Sequence, residues 1–254
     1  MCSSDLELDA LEAAALKANQ DLGAAFARVG QAKALSDAAN AGFWPALSLD
    51  PAVARSRTSA TAGAASRTQT NYSIPLELSY EVDIWGRVRR LSESADASVR
   101  VSAAEFAVVL QTVEADVAQN YFNLRGLDTQ AAMLEKSLAL YRQQEELVGK
   151  QAKAGLVPPT DLLQAKTQVE ATTGQLNEVR RQRANVEHAL AVLTGRAPSE
   201  LSIPAKPLAT VVPVVPAGLP SELLGRRPDV AAAEHRLVAA NAEIGQAKIG
   251  RAHV

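Results

Sequence analysis

The chain has a single cysteine, Cys2, among its 254 residues. No internal disulfide can form, and thiol usage says nothing of the compartment. Aromatic residues make up only 4% of the composition, too few for a thick ring-packed globular core. An excess of one charge sign is also missing: 26 Lys and Arg face 28 Asp and Glu, for a net charge of -2. That balance excludes the basic footprint of a nucleic-acid-binding protein. No apolar run is long enough for a transmembrane helix. Any membrane crossing would therefore use β-strands, because lipid leaves no other way to satisfy the backbone. Chemistry-bearing motifs are lacking too. There is no Gly-rich phosphate loop, metal-ligand cluster or nucleophile constellation. His188 and His235 stand alone on helices and read as surface residues. The expectation is a protein that is not an enzyme and takes no cofactor and no metal.

Both ends read as artefacts. Ile249–Val254 is the translation of ATCGGAAGAGCACACGTC, which resembles a common sequencing adapter, and the reverse complement read from a GTG start yields Met1–Leu6. Residues 1–6 and 249–254 are thus expected to derive from one adapter, with a piece of a longer gene between them. Cys2 follows no apolar leader and is not read as a lipidation site. A true anchoring cysteine would lie upstream, and His253 enters no ligand argument.

What is present is long-helix composition, dominated by Ala, Leu, Val, Gln, Glu and Arg. A helix is predicted over 7–42. Phe43-Trp44-Pro45 ends it, since proline disfavours helical geometry in the residue before it. Strands are predicted over 44–58 and 70–85, joined by the small polar stretch Ser59–Thr70. Within the second strand Tyr72, Ile74, Leu76, Leu78, Tyr80, Val82 and Ile84 share one parity. Asn71, Ser73, Glu77, Ser79, Glu81 and Asp83 share the other, so one face is apolar and its opposite polar to acidic. Crossing a bilayer takes about 9–11 tilted residues, and this segment is longer. Phe43, Trp44 and Trp85 suit a membrane interface. A long hairpin in a soluble protein would show the same alternation.

The period then changes. Helices are predicted over 86–154 and 160–195, the first roughly 100 Å long at 1.5 Å per residue. Val117, Leu124, Leu127, Ala131, Leu134, Leu138, Tyr141 and Val148 fall on three-four spacing. The spacing resumes at Leu162, Ala165, Val169, Leu176, Val179, Val186, Leu190 and Leu193, which describes coiled-coil packing. Asn120, Glu145, Thr172 and Arg183 interrupt the seams; Asn120, Glu145 and Arg183 are read as solvated positions, with a lumen-facing or register-fixing role as the alternative. The turn Gly155-Leu156-Val157-Pro158-Pro159 requires the two helices to lie antiparallel, with Thr160 or Asp161 as the next cap. Residues 199–220, rich in proline and valine, read as an extended linker. Residues 221–248 then restart the first pattern: Asp21-Leu22-Gly23-Ala24-Ala25 aligns with Asp229-Val230-Ala231-Ala232-Ala233. Residues 7–198 are thus one structural repeat, and a second begins after the linker. The fold class is mainly α with a β-hairpin: a long antiparallel coiled-coil hairpin plus long amphipathic barrel strands.

Four stretches resemble the TolC family of outer-membrane efflux proteins, in particular its OprM-like, NodT-type lipoprotein branch serving resistance–nodulation–division pumps. Gly218–Val230 is similar to the inter-repeat signature, and Glu81–Arg87 to the strand-to-helix junction. Ala154-Gly155-Leu156 with Asp161–Ala165 resembles the helical tip, and Tyr121–Arg125 is a weaker match. The resemblance implies a homotrimer with a shared outer-membrane barrel in a Gram-negative bacterium and a helical tunnel in the periplasm. It implies a periplasmic adaptor and an inner-membrane pump as partners, outer-membrane lipid around the barrel, and passive export of small molecules. On that expectation the apolar parity faces lipid, the polar parity lines the lumen, and Gly155–Pro159 meets the adaptor. A protein-secretion channel of the same fold and a coiled-coil adaptor are the competing readings.

Overall fold

The computed structural model describes residues 6–57, 68–208 and 224–250. The two ends expected to derive from an adapter, save Leu6, Ile249 and the backbone of Gly250, lie outside these residues. The described elements are α1 (Leu6–Ala18), α2 (Gln20–Asn40), a 3-10 turn (Ala41–Phe43), β1 (Ala46–Leu49), β2 (Ala52–Arg57), β3 (Thr68–Ser73), β4 (Leu76–Ser79), α3 (Arg87–Lys153), α4 (Pro159–Leu193), a 3-10 turn (Pro198–Glu200) and α5 (Pro228–Gly250). Two compact units divide the chain. One comprises Met1–Ala27 and Glu105–Arg226, the other Arg28–Ala104 and Arg227–Val254.

The helix expected over 7–42 is two helices, broken at Asn19. The Asn19 side chain offers the backbone an alternative to the helical ladder. Its Oδ1 accepts from the amides of Asp21 at 2.9 Å and Leu22 at 3.1 Å, capping α2. Its Nδ2 donates to the Leu193 carbonyl at 3.0 Å, tying the break to the end of α4.

In the first unit, contacts between α3 and α4 run in opposite sequence directions. Gly149 approaches Leu162, Arg180 meets Glu135 and Arg183 meets Asp128, so the helices are antiparallel as expected. The seam is thin. Leu138, Val169 and Leu176 form one buried cluster, flanked by Ala131, Leu134 and Tyr141. A larger cluster joins Ala15, Leu22, Val113, Val117, Leu124, Leu190 and Ile203. Each fully buried Leu or Val contributes about 1.5–3 kcal/mol, so these few positions carry much of the hairpin's cohesion. Thr172, a polar exception in the seam, is buried and returns its hydroxyl to the Gln168 carbonyl at 2.8 Å. Among the described residues no buried side-chain polar atom lacks a partner.

The second unit packs on small residues: Ala97, Ala232, Ala239 and Ala242 are buried together with Val88 and Val101. Serines stitch it. Ser36 donates to Asp96 Oδ1 at 2.5 Å, Ser92 to Asn40 Oδ1, and Ser94 to Glu243 Oε1 at 3.4 Å. α5 begins at Pro228 and α2 at Gln20, the offset at which the two sequence stretches align.

Candidate functional site

The β-hairpin is a single ladder in one register. β1 pairs antiparallel with β4 from Ala46↔Ser79 to Leu49↔Leu76, and β2 with β3 from Ala52↔Ser73 to Arg57↔Thr68. The partner numbers have the same sum throughout, so the gap between the two short sheets involves no slip. Pro51 and Pro75 cause the gap, because neither has an N–H to give the ladder. Asp50 still donates to the Pro75 carbonyl at 3.4 Å, which keeps the halves aligned.

That register sorts the side chains. Leu47 faces Leu78, Leu49 faces Leu76, and Val53 faces Tyr72, all on one side of the ladder. Ser48 with Glu77, and Ala54 with Asn71, lie on the other. Every side chain of the four strands is exposed. Tyr72, Leu76 and Leu78 are each about 70% exposed, so nothing among the described residues covers the apolar face.

The strand expected over 70–85 stops at Ser79. Continued register would set Tyr80 against Pro45, which cannot donate. Beyond it the acids serve the helix. Asp83 accepts from the backbone amides of Val88 at 3.1 Å and Arg89 at 2.9 Å, capping α3. Glu81 holds Arg87 in a two-pronged pair at 2.9 and 2.5 Å. Glu81 and Asp83 are therefore junction residues rather than members of the polar strand face with Asn71, Ser73, Glu77 and Ser79. Tyr80, Val82 and Ile84 likewise lie off the strand, though all three are exposed. The strand expected over 44–58 spans Ala46–Arg57, interrupted at residues 50–51; residue 58 lies outside the described residues. Phe43 ends the 3-10 turn, Trp44 is extended, and both flank the open end of the hairpin with Trp85.

The helical tip is built by a glycine. Gly155, at φ +71, closes α3 with two bonds: its own amide to Ala152 at 3.1 Å and that of Leu156 to Gln151 at 2.9 Å. Leu156 is 75% exposed and Val157 half-buried. Pro158 itself is the cap of α4 and Pro159 its first residue, and no side-chain cap bond is made. Thr160 and Asp161, expected as caps, sit inside the first turn. Proline is well placed there, since its missing N–H would have had no helical partner.

A polar network that sequence reasoning did not assemble lies in the first unit. Arg183 donates to Asp128 Oδ1 at 2.6 Å, to Glu187 Oε2 at 2.8 Å and to the Ile203 carbonyl at 2.6 Å. Arg125 donates to Asp128 Oδ2 at 3.0 Å, the Pro204 carbonyl at 2.8 Å and Glu7 Oε2 at 2.7 Å. Its guanidinium also lies 4.9 Å from the Tyr121 ring centroid. Burial depresses the Arg125 pKa, but the bonds and charges of Tyr121, Asp128 and Glu7 outweigh it, and the net direction is upward. Arg183, read as solvated, is thus a half-buried clamp. The start of the expected linker is docked rather than free: the amides of Ile203, Lys206 and Leu208 donate to Glu187, Asp128 and Thr129. Residues 209–223, including the first six residues of the inter-repeat signature, lie outside the described residues. The signal that could have found the network was the pair of arginines, Arg125 and Arg183, with Asp128 inside otherwise apolar seams.

A family model described as outer membrane efflux protein matches residues 11–196. The chain belongs to the outer membrane efflux protein family. It is 33% identical over 250 residues to the pyoverdine export outer membrane protein OpmQ of Pseudomonas aeruginosa, covering 95% of this chain and 53% of that protein. It is 32% identical over 248 residues to the toluene efflux pump outer membrane protein TtgC of Pseudomonas putida, covering 96% of this chain and 51% of the relative. The solved structure of the outer-membrane channel OprN superposes with a TM-score of 0.85 at 29% identity, covering 96% of this chain and 56% of that one. The chain thus spans about half the length of the relatives it matches. Among the described residues no helix is long and apolar enough to cross a membrane and no acidic, His or Cys cluster could hold a metal. His188 is exposed, as expected, whereas His235 is half-buried. In this outer membrane efflux family member, the hairpin and the helical tip are the exposed features built from predicted site residues.

Proposed function

We propose that the chain forms the first of two structural repeats in an outer-membrane channel subunit. The subunit assembles as a homotrimer and passively conducts small molecules out of the periplasm, in a tripartite efflux system with a periplasmic adaptor and an inner-membrane pump. The observation that carries this reading is the unbroken register of the hairpin, with an uncovered apolar side and a polar side. A two-stranded ribbon exposed in this way is at best marginally stable alone in water. Closure with copies of itself inside lipid would pair its edges and cover its apolar side. Tyr72, Ile74, Leu76 and Leu78 then face lipid, while Asn71, Ser73, Glu77 and Ser79 line the water-filled lumen. The Gly155–Pro159 tip is the contact for the adaptor, presenting Leu156 to it. The names of the relatives, a pyoverdine exporter and a toluene pump component, support small organic molecules as the exported class.

Single-cysteine variants at residues 76 to 79, labelled with an environment-sensitive fluorophore in liposomes, test the reading. Brominated lipid chains should quench labels at 76 and 78, and a water-soluble quencher those at 77 and 79. Equal shielding of both parities from both quenchers would sink it.

A further inference from the structure

The apolar side of the hairpin does not stay apolar to its end. In the register Val53↔Tyr72, Arg55↔Thr70, Arg57↔Thr68, alternate residues point the same way, so Arg55 and Arg57 continue the face that carries Leu47, Leu49 and Val53. The opposite side at that level carries Ala54, Ser56, Gln69 and Asn71, with no charge. The acids of the paired region, Asp50 and Glu77, also belong to that opposite side, so the arginine face holds none. Both arginines are exposed. Arginines serving only to keep a lumen wet would sit on the polar face, and these do not.

We propose that Arg55 and Arg57 bind the phosphate groups of an anionic lipid headgroup in the outer leaflet of the membrane. This rests on the channel reading, in which the helices lie in the periplasm and the closed end of the hairpin points outward. Charge at the hydrocarbon midplane of a barrel costs about 2–4 kcal/mol, but about 0–1 near the interface. The level of Val53 and Tyr72 is then the end of the oily zone, and the two guanidinium groups lie in the headgroup layer. Residues two apart on a strand are separated by about 7 Å, a spacing one phosphorylated headgroup can bridge. Each guanidinium offers a fork matching two phosphate oxygens. Thr70 and Thr68 place hydroxyl donors opposite them, and the Tyr72 ring has the amphipathic character favoured at a membrane interface.

The test titrates the protein in detergent with bisphosphorylated lipid A, with its dephosphorylated counterpart and with inorganic phosphate, counting adducts by native mass spectrometry. Bisphosphorylated lipid A should be retained, and the Arg55→Gln/Arg57→Gln variant should retain it about tenfold more weakly, the loss of two charge-assisted contacts. An Arg196→Gln control, which removes an exposed arginine outside the hairpin, should behave as the unmodified protein. Equal retention by the double variant, or equal retention of the dephosphorylated lipid, overturns the proposal. So does inorganic phosphate binding as tightly as the lipid, which would mark an anion site without lipid selectivity. Bromolipid quenching of a label at Leu78→Cys, run in parallel, separates the two readings. If that label is quenched while lipid A binding ignores the arginines, the headgroup site alone fails; if it is not quenched, the channel reading fails with it.

Discussion

Arg183 donates its Nε–H to Asp128 Oδ1 at 2.6 Å, fixing α4 against α3 at one register. The apolar seam cannot do this alone, because its three-four spacing repeats and its side chains are interchangeable. Asp128 is buried and also accepts from Arg125 and the Lys206 amide. Asp128→Asn should therefore leave Arg125 with only the Glu7 carboxylate and Arg183 with only that of Glu187. The expected cost is about 1–3 kcal/mol of unfolding free energy, measured by chemical denaturation in detergent. A double-mutant cycle with Arg183→Met should give a coupling of about 0.5–3 kcal/mol. Additive effects would mean the contact carries no register information.

Asn19 is the hinge between α1 and α2, and its two functions can be separated. Asn19→Ala removes the cap and the bond to the Leu193 carbonyl, an expected loss of about 1–2 kcal/mol in thermal or denaturant unfolding. Asn19→Asp keeps an acceptor for the amides of Asp21 and Leu22 but has no donor for Leu193. It should preserve helix content by circular dichroism while lowering stability. If the two variants are equally stable, the bond to α4 is the dominant one.

Long-range order in this chain was legible wherever a period was. The alternation from Tyr72 to Leu78 and the spacing from Val117 to Leu138 read directly as strand and helix seam, because the side-chain environment repeats with the backbone. What was not legible depended on single side chains meeting backbone. Asn19 in an alanine-rich run looks like an indifferent helix residue, and its bonds to the Asp21 and Leu22 amides and to the Leu193 carbonyl at the end of α4 make it a break. Glu81 and Asp83 continue the polar parity, yet the first amides of α3 and the Arg87 guanidinium draw them off the strand. Arg183 reads as a flaw in the seam until Asp128, Glu187 and the backbone at Ile203 are brought around it.

Glu178 supplies a pH handle on α4. Its carboxylate accepts from Arg181 at 2.6 and 2.9 Å and from Gln182 at 2.9 Å. The Arg181 bonds first, then the Gln182 bond, hold its pKa at about 2, well below the ordinary glutamate value. A depressed folded-state pKa stabilises above the unfolded value, and that contribution disappears as pH falls towards the folded one. The helix around residue 178 should thus lose stability between the ordinary glutamate range and about pH 2. Glu178→Gln should flatten that part of the melting-temperature profile and leave the neutral-pH helix signal intact. An unchanged acid slope in the variant would assign the titration to other carboxylates.

Gly155 and Gly195 end α3 and α4 with the same left-handed turn, at φ +71 and +67, yet alanine should affect them differently. At Gly155 an added Cβ meets nothing within 4 Å, so only the backbone penalty applies, about 1–2 kcal/mol. At Gly195 the same atom would lie 2.5 Å from the Ala18 carbonyl oxygen and 2.9 Å from the Ala18 Cβ. Both belong to the join between α1 and α4 that Asn19 holds from its other side, so the clash pushes apart the elements that the Asn19–Leu193 bond draws together. Gly195→Ala should therefore destabilise by more than Gly155→Ala in parallel denaturant titrations. Adding Asn19→Ala to Gly195→Ala should cost less than the sum of the two, because the clash already strains the contact that Asn19 makes. Full additivity would place the strain in the turn alone, with α1 free to move aside.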